Sequence, residues 1–169
     1  MVADVGDGAL LVVAVDDLVF DPGDVEGPAP ATAQDEGGVF RSTDRGENWI
    51  KRSDYMSTSP QYYNEIAADP HDVDRIYSLE TYTQVSEDGG KTWNSIEGAY
   101  KHVDNHALAF DPNDPDYLLV GCDGGLYRSY DYCRTFQYFA NLPLTQFYKL
   151  SLDNDRPFYN IVGGTQDNN

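Results

Sequence analysis

The chain has 169 residues, with 29 Asp and Glu against 11 Lys and Arg, so its formal net charge is −18. This excess of negative charge excludes the binding of DNA, RNA or anionic lipid as the main activity, because phosphates are bound by clustered Lys and Arg. A hydrophobic content of 40% argues against disorder, and two cysteines are too few for a disulfide framework.

In chain order, the first predicted element is an apolar strand at residues 9–15, with no clear strand before it. This run is far shorter than the ~20 residues of a membrane helix, so no membrane insertion is expected. Asp4 and Asp7 precede it where a signal peptide carries positive charge, so the chain shows no signal peptide. Residues 16–36 then form an acidic insertion with three prolines, either a disordered loop or a lid over a central pocket.

Three later segments repeat one pattern, which in its fullest form reads Ser-x-Asp-x-Gly-x-Thr-Trp. They occupy residues 42–49, 86–93 and 129–136, and their Asp residues are 44 and 43 positions apart. A second motif, an apolar strand followed by an Asp-containing turn, recurs every 42 residues at 66–70, 108–112 and 150–154. Two different motifs that share one period indicate a repeat architecture.

Each period divides into four short strands. Residues 106–110, 117–122, 126–129 and 136–139 are apolar or aromatic, and they are separated by clusters of Asp, Asn, Pro and Gly. Four strands in about 40–45 residues are typical of a β-propeller blade, and no segment has the 3.6-residue period of a helix. The predicted fold is therefore all-β, a propeller with four-stranded antiparallel blades.

The repeated eight-residue motif has a structural interpretation. Its Asp can accept hydrogen bonds from the backbone of its own turn, its Gly can adopt a positive φ, and its last aromatic ring can pack between sheets. We therefore assign these residues to folding rather than to catalysis: Ser42, Asp44, Gly46, Trp49, Ser86, Asp88, Gly90, Trp93, Ser129, Asp131 and Phe136.

The motif resembles the Asp-box, or BNR repeat, of sialidases, sortilin-type receptors and xyloglucanase-type glycoside hydrolases. The second box matches fully, whereas the first has Asn48 for Thr and the third has Cys133 for Gly and Phe136 for Trp. Residues 102–108, 123–127 and 163–168 also resemble large bacterial propellers described as sortilin-like or glycosyl-hydrolase-like. The resemblance implies a propeller that binds a glycan or a polypeptide. The alternatives are a xyloglucanase-like glycoside hydrolase and a structural scaffold segment.

Propellers close with about four to eight blades, whereas 169 residues hold just under four periods. We therefore predict that residues 1–169 are part of one β-propeller, with about three box-bearing blades and further blades outside this chain. A small four-bladed ring, or two chains completing one ring, is the alternative. As part of a longer protein, the chain is expected to be exported to the periplasm or the extracellular space.

The predicted ligand site lies at the mouth of the central channel. Because strand direction alternates within a blade, the boxes share one face and the turns between second and third strands share the other, where propeller ligands usually bind. The predicted ligand-binding residues are Tyr62, Asn64, His102, Asp104, His106, Gln146, Tyr148 and Gln166. Such side chains suit hydroxyl-rich ligands through hydrogen bonds and ring stacking.

A glycosidase needs two carboxylates about 5 to 10 Å apart. The candidates on this face are Asp104, Asp123, Glu80 and Asp167, and the sequence does not pair them. In a strand, His102, Asp104 and His106 would point the same way. They are either a hydrogen-bonded rim cluster, the interpretation adopted here, or a transition-metal site. No metal and no cofactor are therefore predicted.

Overall fold

The computed structural model describes residues 2–4, 10–14, 37–59, 62–63, 65–96, 100–143 and 147–165. The predicted insertion at 16–36 and the predicted site residues Asn64, Gln146, Gln166 and Asp167 lie outside the described residues, as does the side chain of Tyr148. The part of the chain that the structure describes contains no apolar helix long enough to cross a membrane.

The regular elements of the described residues are fourteen short strands. They are β1 (Val2–Asp4), β2 (Leu10–Ala14), β3 (Gly38–Ser42), β4 (Ile50–Ser53), β5 (Glu65–Ala68), β6 (Ile76–Leu79), β7 (Gln84–Ser86), β8 (Asn94–Ser95), β9 (Asn105–Asp111), β10 (Asp114–Cys122), β11 (Gly125–Ser129), β12 (Gln137–Tyr138), β13 (Phe147–Leu152) and β14 (Ile161–Thr165).

The strands pair in sequence order into antiparallel sheets. Three sheets have four strands, β1 to β4, β5 to β8 and β9 to β12, whereas β13 and β14 form a two-stranded sheet. The prediction of four-stranded antiparallel blades is confirmed. One expectation is wrong, because β1 precedes the apolar run and pairs with it, Val2 opposite Val12. A three-residue strand is too short to show the alternation by which strands are recognised.

The chain divides into two compact units, Met1–Tyr138 and Phe139–Asn169. The first unit contains the three four-stranded blades, and the second contains the β13–β14 hairpin. In the hairpin, apolar side chains on both strands are exposed, with Leu152 at 62% and Val162 at 70%. The hairpin has two strands, whereas each sheet of the first unit has four, so it corresponds to half of a blade.

The core of the first unit lies between neighbouring blades. Val39 of the first blade packs with Ile66 and Ile76 of the second, and the Trp93 ring packs against them. A second cluster joins the second and third blades through Tyr77, Val85, Leu118, Val120 and Cys133. Each fully buried side chain of this size contributes roughly 1.5–3 kcal/mol, so packing between sheets is what holds adjacent blades together.

The three box turns share one hydrogen-bond pattern. In the second box, the Ser86 hydroxyl donates to Asp88 at 2.9 Å and accepts from the Gly90 N–H at 2.8 Å. Asp88 Oδ1 accepts from the backbone N–H groups of Lys91 and Thr92 at 3.0 and 2.9 Å. The first and third boxes repeat the serine-to-carboxylate bond at 2.7 and 2.8 Å. Each carboxylate thus organises the turn that joins the third strand of a blade to the fourth.

The box turns require positive φ at two consecutive positions. The fifth position has φ of 89° at Gly46, 87° at Gly90 and 65° at Cys133. The fourth position is also positive, at 61° for Arg45 and 59° for Tyr132. Because L-residues are strained in this region, glycine is favoured there, and the third box forms the same turn without one.

Candidate ligand-binding site

The candidate site lies at the end of the blades opposite the box turns. The connection from β4 to β5 turns at Ser59, whose carbonyl oxygen accepts hydrogen bonds from the N–H groups of Tyr62 at 3.0 Å and Tyr63 at 2.9 Å. The connection from β8 to β9 carries Asp104, which has a φ of 65° just before β9 begins. The turn from β10 to β11 carries Asp123. Three connections therefore meet at this end: one from the first blade to the second, one from the second to the third, and one within the third.

Four side chains from these connections form one continuous group. The Tyr63 hydroxyl donates to Asp104 Oδ1 at 2.5 Å, and the Tyr63 ring stacks on the His106 ring with centroids 5.3 Å apart. His106 Nε2 lies 3.1 Å from Asp123 Oδ1. The side chains of His106 and Asp123 are 49% and 45% exposed, so the group is open to solvent. We call Tyr63, Asp104, His106 and Asp123 the rim cluster.

Hydrogen bonding fixes the protonation of the phenol in the rim cluster. The bond from Tyr63 to the Asp104 carboxylate, with partial burial and the negative charges of Asp104 and Asp123, raises the pKa of Tyr63 to about 12. Tyr63 therefore keeps its proton, and donates it in the hydrogen bond to the Asp104 carboxylate, to a higher pH than a free tyrosine does. Tyr62 meets the Tyr63 ring edge-on with centroids 6.4 Å apart and is 75% exposed, so it extends the aromatic surface.

Main-chain hydrogen bonds tie the third-blade half of the cluster to the second blade. The Asp104 N–H donates to the Thr81 carbonyl at 3.0 Å, and the Asn105 N–H donates to the Glu80 carbonyl at 3.1 Å. The Asn105 side chain, 1% exposed, donates to the same Glu80 carbonyl at 2.9 Å. The Asp123 N–H donates to the Asp104 carbonyl at 3.2 Å. The cluster is therefore built on a fixed backbone frame that spans two blades.

Glu80 differs from its predicted position at the channel mouth. The residue is only 3% exposed, and its carboxylate accepts hydrogen bonds from the Tyr55 hydroxyl, the Thr58 N–H and the Thr58 hydroxyl. With both oxygens engaged inside the protein, Glu80 is not presented to a ligand. The structure thus corrects the predicted exposure of Glu80 at the channel mouth, because strand register gives the end of the sheet but not the depth of a side chain. Its role as a candidate catalytic acid stays a prediction.

The predicted alternation of His102, Asp104 and His106 is also wrong. Strand β9 begins at Asn105, so His102 and Asp104 precede the strand and do not follow its period of two. His102 lies against Gly124, where an added Cβ would come within 2.3 Å of the His102 Cβ. Among the residues that the structure describes, no three or more His, Cys, Asp or Glu are grouped so as to hold a metal ion.

Sequence reasoning missed Tyr63, the residue of the β4–β5 connection that contacts both Asp104 and His106. Counting alternate positions back from β5 selected Tyr62 and Asn64, because a strand was assumed to continue through them. The connection instead turns at Ser59, and Tyr63 points toward Asp104. No local signal separates two adjacent tyrosines in a turn, so only the three-dimensional structure distinguishes them.

Comparisons with known proteins agree with the fold. A family model for Sortilin-Vps10, described as "Sortilin, neurotensin receptor 3", matches residues 37–159. A xyloglucanase from Paenibacillus sp is 31% identical over 132 residues, covering 64% of this chain and 13% of the relative. The xyloglucanase Xgh74A of Acetivibrio thermocellus is 32% identical over 132 residues, covering 64% of this chain and 16% of the relative. The chain thus spans less than one fifth of the length of these relatives.

Solved structures give the same result. The Niastella koreensis GH74 enzyme superimposes with a TM-score of 0.53 and 17% identity, covering 79% of this chain and 21% of that chain. The GH74 xyloglucanase from Xanthomonas campestris gives a TM-score of 0.52 and 20% identity, covering 86% of this chain and 23% of that chain. At this level of identity the likeness establishes the fold, an all-β partial propeller, and nothing finer.

Proposed function

The chain belongs to the Sortilin-Vps10 family, and from this premise we propose that its part of the propeller binds a glycan at the rim cluster. The observation that carries the proposal is the Tyr63–His106 ring stack, open to solvent and flanked by the carboxylates of Asp104 and Asp123. Sugar rings pack their apolar faces on aromatic rings, and their hydroxyls donate to carboxylates.

The similar proteins indicate which glycan to test first for binding. Those named above are xyloglucanases, so a xyloglucan-derived oligosaccharide is the first ligand to test. On this proposal the full-length protein has further blades and acts in the periplasm or outside the cell, where polysaccharides are met. A polypeptide ligand is the competing outcome, to be detected by binding of an unstructured peptide with no response to the oligosaccharide.

The test is the affinity of the chain for a xyloglucan heptasaccharide, measured by isothermal titration calorimetry. Tyr63→Ala removes both the stacking face and the donor to Asp104, and we expect at least a tenfold loss of affinity. Tyr130→Ala is the matched control, because Tyr130 is 50% exposed but lies in the third box at the other end of the blade. No binding by the unmodified chain, or equal binding by Tyr63→Ala, would refute the proposal.

A second candidate function is glycoside hydrolysis at the same site. Two carboxylates, Asp104 and Asp123, flank one ring stack on the rim, and glycosidases use a pair of carboxylates across the scissile bond. On this alternative, Asp104→Asn and Asp123→Asn each abolish the release of reducing ends from xyloglucan by the full-length protein. Hydrolysis that survives both substitutions would place the catalytic pair elsewhere.

A further inference from the structure

The buried carboxylate of Glu80 contacts one short segment of the neighbouring connection. Its Oε1 accepts from the Tyr55 hydroxyl at 2.5 Å, and its Oε2 accepts from the Thr58 N–H at 3.0 Å and the Thr58 hydroxyl at 2.6 Å. A buried carboxylate is stable only when such donors replace its water. Glu80 therefore fixes residues 55–58 against the second blade.

The fixed segment leads directly to Tyr63. Ser59 follows Thr58, and its carbonyl oxygen accepts the N–H groups of Tyr62 and Tyr63. The Tyr55 ring, at the start of the segment, stacks on Trp93 with centroids 4.2 Å apart and planes inclined by 15°. Burial, together with the hydrogen bond to Glu80, raises the pKa of Tyr55, which therefore stays a neutral donor. Tyr55 holds the start of the segment and Thr58 holds its end. Tyr63 lies beyond that end, and its N–H is bonded to the Ser59 carbonyl.

The main chain of Glu80 contacts the β8–β9 connection, which carries Asp104 of the rim cluster. Its carbonyl oxygen accepts the N–H and the side-chain amide of Asn105, at 3.1 and 2.9 Å. The neighbouring Thr81 carbonyl accepts the N–H of Asp104. Glu80, which directly follows β6, therefore contacts both the β4–β5 and the β8–β9 connection, whose side chains meet in the rim cluster.

We propose that Glu80 is the positioning residue of the rim cluster. Its side chain holds the β4–β5 connection and its main chain holds the β8–β9 connection, so that Tyr63 reaches Asp104 and His106. The effect of Glu80 on ligand affinity rests on the proposed function, but the positioning itself is measurable without ligand. Glu80→Gln keeps the size of the side chain and the main-chain bonds, whereas an amide has one acceptor oxygen in place of two.

The direct readout is the NMR shift of the His106 ring protons in the full chain. The Tyr63 ring shifts these protons, and Tyr63→Ala supplies the reference for an unstacked His106. We expect Glu80→Gln to move the His106 signals at least halfway to that reference, while the Trp49 indole signal of the first box reports an intact fold. His106 signals at the positions of the unmodified chain would overturn the inference.

A milder variant covers the case in which Glu80→Gln fails to fold. Thr58→Val removes one hydroxyl donor from an exposed residue, and we expect a smaller shift of His106 in the same direction. Thr43→Val, at an exposed position in the first box, is the matched control and should leave His106 unmoved. A Thr58→Val spectrum identical to that of the control would also overturn the inference.

Titration with the xyloglucan heptasaccharide separates the two proposals. If the unmodified chain does not bind while His106 responds to Glu80→Gln, the glycan proposal fails and the positioning role stands. If the unmodified chain binds and Glu80→Gln lowers the affinity tenfold or more, both are supported. If the unmodified chain binds and Glu80→Gln binds equally well, the expected effect of Glu80 on affinity is wrong, whereas the positioning role is decided by the His106 signals.

Discussion

At the scale of the residue, the main role of the box aspartates is to accept hydrogen bonds within their own turns. Partial burial of Asp88 opposes ionisation, but bonds from the Thr92 N–H and hydroxyl, the Ser86 hydroxyl and the Lys91 N–H together lower its pKa to about 2. The Asn48 side chain and N–H have the same effect on Asp44, whose pKa is also lowered to about 2. The turn is therefore formed by the ionised carboxylate, and protonation weakens it.

This lowered pKa makes a prediction about stability in acid. Because the folded pKa of Asp88 lies below its ordinary value of 3.8, the unfolded chain binds more protons between pH 4 and pH 2, and stability falls as pH falls through this range. Asp88→Asn keeps one acceptor oxygen but replaces the oxygen that accepts from the Thr92 hydroxyl with an NH2 donor, so it should lower the free energy of unfolding at pH 7 by about 1 kcal/mol, the net contribution of one hydrogen bond. It should also flatten the decline between pH 4 and pH 2, measured by urea unfolding.

The matched control is Asp54→Asn, since the side chain of Asp54 is 91% exposed and pairs only with Lys51 among the contacts described. This substitution should leave both the stability at pH 7 and its slope in acid close to those of the unmodified chain. A decline in acid that is equally steep in Asp88→Asn would mean that the box carboxylates do not govern acid unfolding.

At the scale of the element, adjacent blades are joined by polar contacts on the box face as well as by the apolar core. Arg75, just before β6, lies 3.5 Å from Asp69 Oδ2 and 3.6 Å from Glu87 Oε1. Its guanidinium also stacks over the Tyr132 ring of the third box at 4.2 Å. Asp69 is only 1% exposed, so the arginine compensates a charge that water does not reach.

Arg75→Ala should therefore destabilise the first unit by about 3 kcal/mol, because breaking a buried ion pair leaves an uncompensated charge. Arg134→Ala is the matched control, since Arg134 is 64% exposed and its Glu87 contact is 3.9 Å long. Exposed pairs contribute about 0–1 kcal/mol, so the control should stay near the unmodified chain in urea unfolding. Equal stability of the two variants would contradict a structural role for Arg75.

The elements are also the scale at which the sequence was most informative. The blades were predictable because a repeat shows the same four-strand pattern three times, and two motifs with one period reinforce each other. Strand β1 was not predictable, because Val2–Asp4 is too short to show a pattern and is stabilised by pairing with β2. Periodicity predicts a strand only when the strand spans at least two full alternations, that is, four residues or more.

The candidate site was predictable only in outline. Sequence reasoning grouped Asp104, His106 and Asp123 at one end of the blades, where the structure brings them together, because strand direction follows from the order of the turns. It missed Tyr63 and misjudged Glu80, because a turn has no fixed period and because burial depends on which neighbouring connection covers a side chain. Contacts between distant connections are properties of the assembled sheets, which local pattern does not contain.

At the scale of the whole molecule, part of the negative charge comes from aspartates that stabilise the turns and that recur in each blade. Among the residues that the structure describes, nine aspartates accept backbone N–H groups of their own turns. They are Asp44, Asp69, Asp72, Asp88, Asp111, Asp114, Asp131, Asp153 and Asp155. These carboxylates stabilise turns locally, yet each adds to a net charge of −18. The same groups that fold the turns therefore repel one another over longer distances.

The balance of these two effects predicts how the chain responds to salt. Self-repulsion of a net charge of −18 acts over distances that ions screen, with a Debye length of about 10 Å at 0.1 M salt, whereas hydrogen bonds inside a turn are shorter than that. We expect the thermal unfolding midpoint to rise by several degrees between 10 and 200 mM NaCl, where about 1 kcal/mol corresponds to roughly 2–4 °C for a domain of this size.

Choline chloride at equal ionic strength should give the same rise, because screening does not depend on the identity of the cation. A rise with NaCl alone would indicate specific binding of sodium, and a midpoint that falls with both salts would mean that ion pairs such as that of Arg75 outweigh the repulsion.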